Sequence, residues 1–462
     1  MKNFFVSTLF FVTLVTLNIF PSISYSQVGT SGSSSGTSYI NTWTKTYTSS
    51  NESYTPHDIH PTSDHGYIVA GSMNKTFPFT DGYIAKLDAN GGMVWQKQYA
   101  TGTNIAEEFY SVGITSTGDI IVAGKDGFSP TLFITKTDST GNVIFSFDLP
   151  SVNAYLFTSI AVNKKDDFFV VGTIGNDISV MKFDSAGTIL WQKIINLRPT
   201  DIGTAVLALN DEGVVVAGRS SHPTLSTGME IFVTRLDKNG ALIWSNNYSK
   251  DIANQDFTPY DMDQTPQGKI LVVGALEDKN TGAGYRNTLM RLDDSNGSVE
   301  WYSTINTDLT TSTSNLKNEA YGVLATQNEG AVITGTVKSA DHLWLAEFTA
   351  AGNIKWQRDY DADQHTQIGR ALSRTSDGGY VVVGRGKAFG TVAALRNSIW
   401  AIKTDDLGLS DTCYIVTPES YIQDHFINTK IVTPGISNSS VAPANKNVTV
   451  TTGIAANDAQ CP

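Results

Sequence analysis

This sequence predicts an all-β fold, a seven-bladed β-propeller of four-stranded blades. Three signals recurring at a period of about fifty residues predict it. The first is a short β-rich run ending in glycine: Tyr67–Gly71, Ile120–Gly124, Phe168–Gly172, Val214–Gly218, Ile270–Gly274, Ala331–Gly335 and Tyr380–Gly384. The second is an alternating strand that runs into an Asp-led turn, such as Tyr83–Asp88, Leu132–Asp138, Ile178–Asp184 and Ile231–Asp237. Asp opening a turn and Gly closing it is a hairpin signature. The third is a strand carrying Trp after that turn: Trp95, Trp191, Trp244, Trp301 and Trp356, with Phe145 in the second copy.

The seventh copy lacks its Trp strand, and the chain begins with a spare one. Trp43-Thr-Lys-Thr-Tyr47 matches Trp95-Gln-Lys-Gln-Tyr99. An open ring leaves unpaired strand edges, so the N-terminal strand is expected to join the last blade and close the ring. The inner strand of each unit precedes the Gly strand and is the least regular in sequence. The recurring Trp is expected to pack between neighbouring blades, because burying an indole contributes a few kcal/mol.

The run Lys-Leu-Asp-x-Asn-Gly followed by Trp95 resembles the tryptophan-docking motif of quinoprotein-type propellers. With Asp377–Gly384 as its cleanest middle, the unit also resembles repeats of exported Bacteroidota proteins. The resemblance spans residues 41–411 and implies the fold. It carries over no catalytic residue, since quinoprotein enzymes add a calcium site and a vicinal disulfide and this body holds no cysteine.

The ends read differently. Residues 1–27 have the positive start, apolar stretch and small-residue exit of a signal peptide. Residues 28–40 are a Gly/Ser/Thr linker, 41–411 the propeller, and 412–462 a tail or small β appendage. Both cysteines, Cys413 and Cys461, lie in that tail and are expected to pair in an oxidising compartment. The expected location is secreted or cell-surface, or periplasmic, with no membrane span. Net charge is −12, and −13 once Lys2 leaves with the signal. An acidic surface repels phosphate backbones, which disfavours nucleic acid and anionic membranes.

Signs of chemistry are few. Gly32-Ser-Ser-Ser-Gly36 matches a nucleophile-elbow pattern but lies in the linker, with no strand before it. His57, Asp58, His60, Asp64 and His65 cluster in the first unit, but metal ligands must converge. They read as loop and surface residues. The Asp-x-Asn-Gly turns at Asp88 and Asp237 lack the carboxylates of a calcium loop.

Insertions concentrate on one face, in the loops between second and third strands and in the links between blades. Counting 16 to 19 residues back from each Gly gives Glu52, Glu108, Asp201, Asp256, Glu319 and Gln367, with Tyr155 or a neighbour in the third unit. They are expected either to rim the channel mouth as a carboxylate ring, able to hold a cation such as calcium or a basic ligand, or to cap backbone of the next blade. No cofactor is called for. Phe77, Phe79, Tyr285, Arg286, Arg385, Lys387 and Phe389 are candidate contacts on the same loop face. The expected function is non-enzymatic binding or adhesion to protein or glycan. The alternatives are a polysaccharide lyase or glycosidase, and a structural subunit of an envelope complex.

Overall fold

The computed structural model describes residues 40–48, 52–76, 79–102, 106–127, 131–153, 158–222, 228–249, 255–279, 284–306, 316–337, 342–361, 367–387 and 397–410. Beyond these it describes the short strands of the C-terminal segment. No described helix is long and apolar enough to cross a membrane.

The described strands run as successive four-stranded antiparallel meanders. They are β2 (Ser53–Pro61), β3 (Tyr67–Thr76), β4 (Phe79–Leu87) and β5 (Met93–Ala100), then β6 (Glu107–Ile114), β7 (Ile120–Asp126), β8 (Thr131–Thr137) and β9 (Val143–Asn153). Next come β10 (Ile160–Val162), β11 (Phe168–Ile174), β12 (Asp177–Phe183) and β13 (Ile189–Asn196), and β14 (Asp201–Ala208), β15 (Val214–Ser221), β16 (Met229–Leu236) and β17 (Leu242–Ser249). They are followed by β18 (Gln255–Gln264), β19 (Ile270–Asp278), β20 (Gly284–Leu292) and β21 (Val299–Asn306), with the short β22 (Leu316–Lys317) beside β20. The last are β23 (Ala320–Ala325), β24 (Ala331–Val337), β25 (His342–Phe348) and β26 (Ile354–Asp361), and β27 (Ile368–Arg374), β28 (Tyr380–Lys387) and β29 (Asn397–Thr404). The final group takes its fourth strand from the other end of the chain: β1 (Trp43–Thr48) pairs with β29, from Trp43 opposite Lys403 to Tyr47 opposite Ile399.

Apolar residues of facing meanders make the core. One cluster joins Ala205, Val215 and Trp244 to Phe257, Met262 and Tyr302. Another joins Tyr54, Ile59 and Tyr83 to Ala371, Val381 and Ile399, so the first meander packs on the last.

The Trp positions explain the turn glycines. Trp43 Nε1 donates to Ala89 O (3.0 Å), Trp191 Nε1 to Lys238 O (3.0 Å), Trp244 Nε1 to Asp294 O (2.7 Å) and Trp301 Nε1 to Ala350 O (2.9 Å). Each acceptor lies in the turn of the following meander. The Gly closing that turn has positive φ, 71° at Gly297, and a Cβ there would come within 2.6 Å of the Trp244 ring. Gly91 lies in the same way over Trp43, Gly240 over Trp191, Gly352 over Trp301 and Gly408 over Trp356. The turn needs a left-handed residue and the indole leaves no room for a side chain, so glycine meets both demands.

The C-terminal segment adds short outer strands to these meanders. β30 (Tyr414–Val416) pairs with β26, β31 (Tyr421–Asp424) with β21, β32 (Asn428–Ile431) with β17 and β33 (Gly435–Asn438) with β13. β34 (Ala444–Asn445) pairs with β9, β35 (Thr449–Thr452) with β5 and β36 (Asn457–Ala459) with β1. Cys413 and Cys461 lie outside the described residues.

Candidate functional site

Each second strand runs past its glycine, and that glycine has a local cause. A Cβ at Gly71 would overlap Thr55 O, at Gly124 Glu108 O, at Gly274 Thr258 O and at Gly335 Glu319 O. The inner strand presses onto it because that strand bulges there. The register skips one residue between Pro56 and Asp58, Phe109 and Ser111, Gly203 and Ala205, Pro259 and Asp261, Ala320 and Gly322, and Gly369 and Ala371. A bulge re-aims the extra side chain. The skipped residues are His57, Tyr110, Thr204, Tyr260, Tyr321 and Arg370, each fourteen positions before its glycine.

Five of these six line one cavity of about 270 Å³, with Thr158 of the third unit, which stands at the same spacing from Gly172. Thr204 is buried instead, its hydroxyl donating to Pro259 O (2.7 Å). The rings of His57 and Tyr110 meet edge to face at 5.3 Å, and those of Tyr260 and Tyr321 lie 5.0 Å apart. The Arg370 guanidinium stands 4.3 Å over the Tyr321 ring, a cation–π geometry.

Carboxylates brace this ring of side chains. Tyr260 and Tyr321 both donate to Glu319 (2.8 and 2.5 Å), and Tyr110 donates to Glu108 (3.0 Å). Burial raises all three phenols, and the adjoining carboxylate adds to the shift. Asp58 accepts from Val112 N (2.8 Å) and Ser111 Oγ (3.0 Å) of the next meander, and Asp261 from Val323 N (2.9 Å). Burial pushes Asp261 up to about 8, and the negative charge of Asp58 adds to it. Burial pushes His57 down to about 3, helped by the positive charges of Arg370, Arg385 and Lys125. Near neutral pH the cavity therefore presents a neutral imidazole, protonated phenols and one guanidinium, beside the carboxyls of Asp58 and Asp261, both raised by burial.

Of the carboxylates and amide expected at the mouth, Glu108 and Glu319 reach this cavity through their tyrosines. Glu108 is also paired with Lys125 (3.0 Å). Asp256 is paired with Lys279 at 2.7 Å. Asp201 is fully buried and accepts from Leu197 N, Arg198 N and Ser220 Oγ (2.7, 2.9 and 2.6 Å). Glu52 is buried and accepts from Tyr54, and Gln367 is buried. The six do not occupy one geometric position. A strand alternates sides at each residue, so a window of four positions collects both faces.

On the loop face, Tyr285 and Arg286 stand on β20 opposite Glu277 and Leu276, and Arg385 stands on β28 opposite Ile368. Phe77 and Phe389 lie outside the described residues, as do the side chains of Phe79 and Lys387. Among the described residues no group of three or more His, Cys, Asp or Glu is placed to hold a metal ion. The histidine cluster of the first unit is split: His57 lines the cavity, His60 is exposed, and Asp64 is ion-paired with Lys86.

The family model described as outer membrane protein assembly factor BamB matches residues 80–260 and again 230–404. The chain belongs to that family. No curated protein matches the sequence. Among solved structures, a polysaccharide lyase of the ulvan lyase type, bound to a glucuronate–sulfated rhamnose chain, has TM-score 0.50 and 10% identity, covering 80% of this chain and 97% of its own. A protein of unknown function from Dyadobacter fermentans has TM-score 0.47 and 8% identity, covering 78% and 97%. A propeller named Dos1 has TM-score 0.44 and 10% identity, covering 78% and 95%. The fold is a β-propeller of quinoprotein-like repeats.

Proposed function

We propose that this chain is an exported, seven-bladed propeller of the cell envelope, closed by β1, that recognises a protein or glycan partner at its channel without chemistry. The seven-blade count is supported by the contacts of Trp, and of Phe145 in the second meander, with the turn glycine of the next meander, and by Trp43, which leads from the last meander to the first. The envelope setting is supported by the description of the family.

The observation that carries the binding reading is the cavity ringed by bulged residues of different inner strands. Rings with polar tips and one guanidinium suit a ligand that offers an apolar face and an acceptor or acidic group. The same groups are ill suited to proton transfer at neutral pH. The phenols are held protonated by burial and carboxylates, and the imidazole is held far from a useful pKa.

A second reading is favoured by one observation: His57, Tyr110 and Arg370 share the cavity, and an imidazole, a phenol and a cation are the group types that an eliminative lyase needs for an acidic sugar. One experiment separates the two. Protein starting at residue 28 is screened on a glycan array and by crosslinking pull-down from envelope extract, beside Arg370→Ala, Glu319→Gln and, as a control away from the cavity, Lys165→Ala, an exposed lysine paired with Glu212. Binding lost about 10-fold or more in the first two variants, kept in the third and without product release, supports recognition. Binding indifferent to the channel variants overturns it, and unsaturated sugar products abolished by Arg370→Ala establish the lyase.

A further inference from the structure

The outer strands of the C-terminal segment follow an order and a period. Along the chain, β30 to β36 visit β26, β21, β17, β13, β9, β5 and finally β1. The segment thus returns through the meanders in reverse and ends on the one adjoining its start. Tyr414 is opposite Asp361, Tyr421 opposite Asn306, Asn428 opposite Ser249, Gly435 opposite Asn196, Thr449 opposite Ala100 and Asn457 opposite Thr48. Each body residue stands five places after its Trp. The partners advance by seven, seven and seven, then by fourteen across the stop on β9, then by eight. Seven extended residues reach ~23 Å, so each step both pairs with one outer edge and crosses to the next.

We propose that residues 414–459 form a belt laid once around the seven blades, and that a Cys413–Cys461 disulfide buckles it. The period brings the two ends of the belt to neighbouring meanders, β30 on β26 and β36 on β1. One more step of seven would place the chain where Tyr414 already pairs with β26. Tyr414 begins the belt and Ala459 ends it, and in the sequence Cys413 adjoins the first and Cys461 follows the second by two residues. The belt has a physical purpose. Without the belt, the outermost strand of each meander would offer a row of unpaired N–H and C=O groups, a template for foreign strands. Belt strands of two to four residues are too short to hold alone, and closing the loop between them removes the free end from which they would peel.

The bond forms when the two thiols give up two protons and two electrons to an oxidised dithiol partner, such as glutathione disulfide, which is reduced to thiols. In the cell this rests on the exported, oxidising location proposed above. The test does not, because the full chain is oxidised in a glutathione buffer after purification. Peptide mapping with thiol alkylation should find one intramolecular Cys413–Cys461 link in the monomer. Hydrogen exchange at the outward-facing amides of β5, β17, β21 and β26 should be slow, and about 100-fold faster after reduction or in Cys413→Ser/Cys461→Ser. Free thiols in the folded, oxidised monomer, or links only between molecules, would overturn the buckle. Exchange at those amides unchanged by reduction, by the double variant and by a stop after residue 411 would overturn the belt.

Discussion

The outer rim and the channel of this propeller are built by the same repeat yet obey different rules. At the rim, an aromatic ring recurs under a left-handed glycine, and at Trp43, Trp191, Trp244 and Trp301 its N–H also donates to a turn carbonyl. On the inner strands the geometry recurs in six units, a bulge opposite a glycine, but the side chain it presents is His57, Tyr110, Thr204, Tyr260, Tyr321 or Arg370, and all but Thr204 line the cavity. The rim contact holds blade to blade, so departure from it costs stability. The bulge is satisfied by its glycine and leaves its side chain open to any chemistry. Repetition here fixes where a side chain points while leaving its identity free.

The largest effect expected from breaking this contrast is at Gly297. Gly297→Ala adds a Cβ within 2.6 Å of Trp244 at a φ of 71°, and should lower stability by about 2–4 kcal/mol in denaturant titration. Trp244→Phe keeps a ring but loses the bond to Asp294 O, and about 1–2 kcal/mol is expected. Gly175→Ala is the matched control. Its φ is 60° with nothing within 4 Å of a new Cβ, so only the backbone cost of ~1 kcal/mol applies. Equal losses at Gly175 and Gly297 would show that the indole contact contributes nothing.

The channel should answer to pH instead. Asp261 is raised to about 8, so between the unfolded value near ~4 and 8 the folded protein holds a proton that the unfolded chain has released. Its contribution is present at low pH and lost as pH rises through that window. His57, lowered to about 3, acts oppositely: its contribution is present above ~6.5 and lost as pH falls toward 3. The interval from pH 6.5 to 8 therefore separates Asp261 from His57, and the variant separates it from Asp58 and Asp263, which burial also raises. There Asp261→Asn should flatten a fall of at most ~1.4 kcal/mol per pH unit, read as unfolding midpoint against pH. An unchanged slope would place the proton elsewhere.

Much of the rim was legible in the sequence. The Gly strand, the Asp-led turn, the Trp strand and the pairing of Trp43–Tyr47 with the last unit all repeat in residue type, because packing there admits few substitutes. The channel was harder to read. A search for like residues at like spacing gathered Glu52, Glu108, Asp201, Asp256, Glu319 and Gln367 from two sides of the inner strand. The bulged residues, unlike one another, passed unnoticed. The glycines were the missed signal: a residue kept small in mid-strand marks a close backbone approach, and the skipped residue opposite is the one to inspect. The outer strands of the tail were missed for a similar reason. Tyr414, Tyr421, Asn428 and Gly435 share a period of seven but no chemistry, since backbone pairing alone places them.

The reverse path of that segment also sets an order in time. Its first strand pairs with a residue only 53 positions back, Asp361 with Tyr414, and its last spans from Thr48 to Asn457. Closing a longer loop costs more entropy, and the far partner is useful only once all intervening units stand. The molecule should therefore zip from its youngest repeat toward its oldest, and its first strand should be the last to be covered. A chain still emerging from the ribosome or a membrane pore would keep every outer edge open until its final residues arrive.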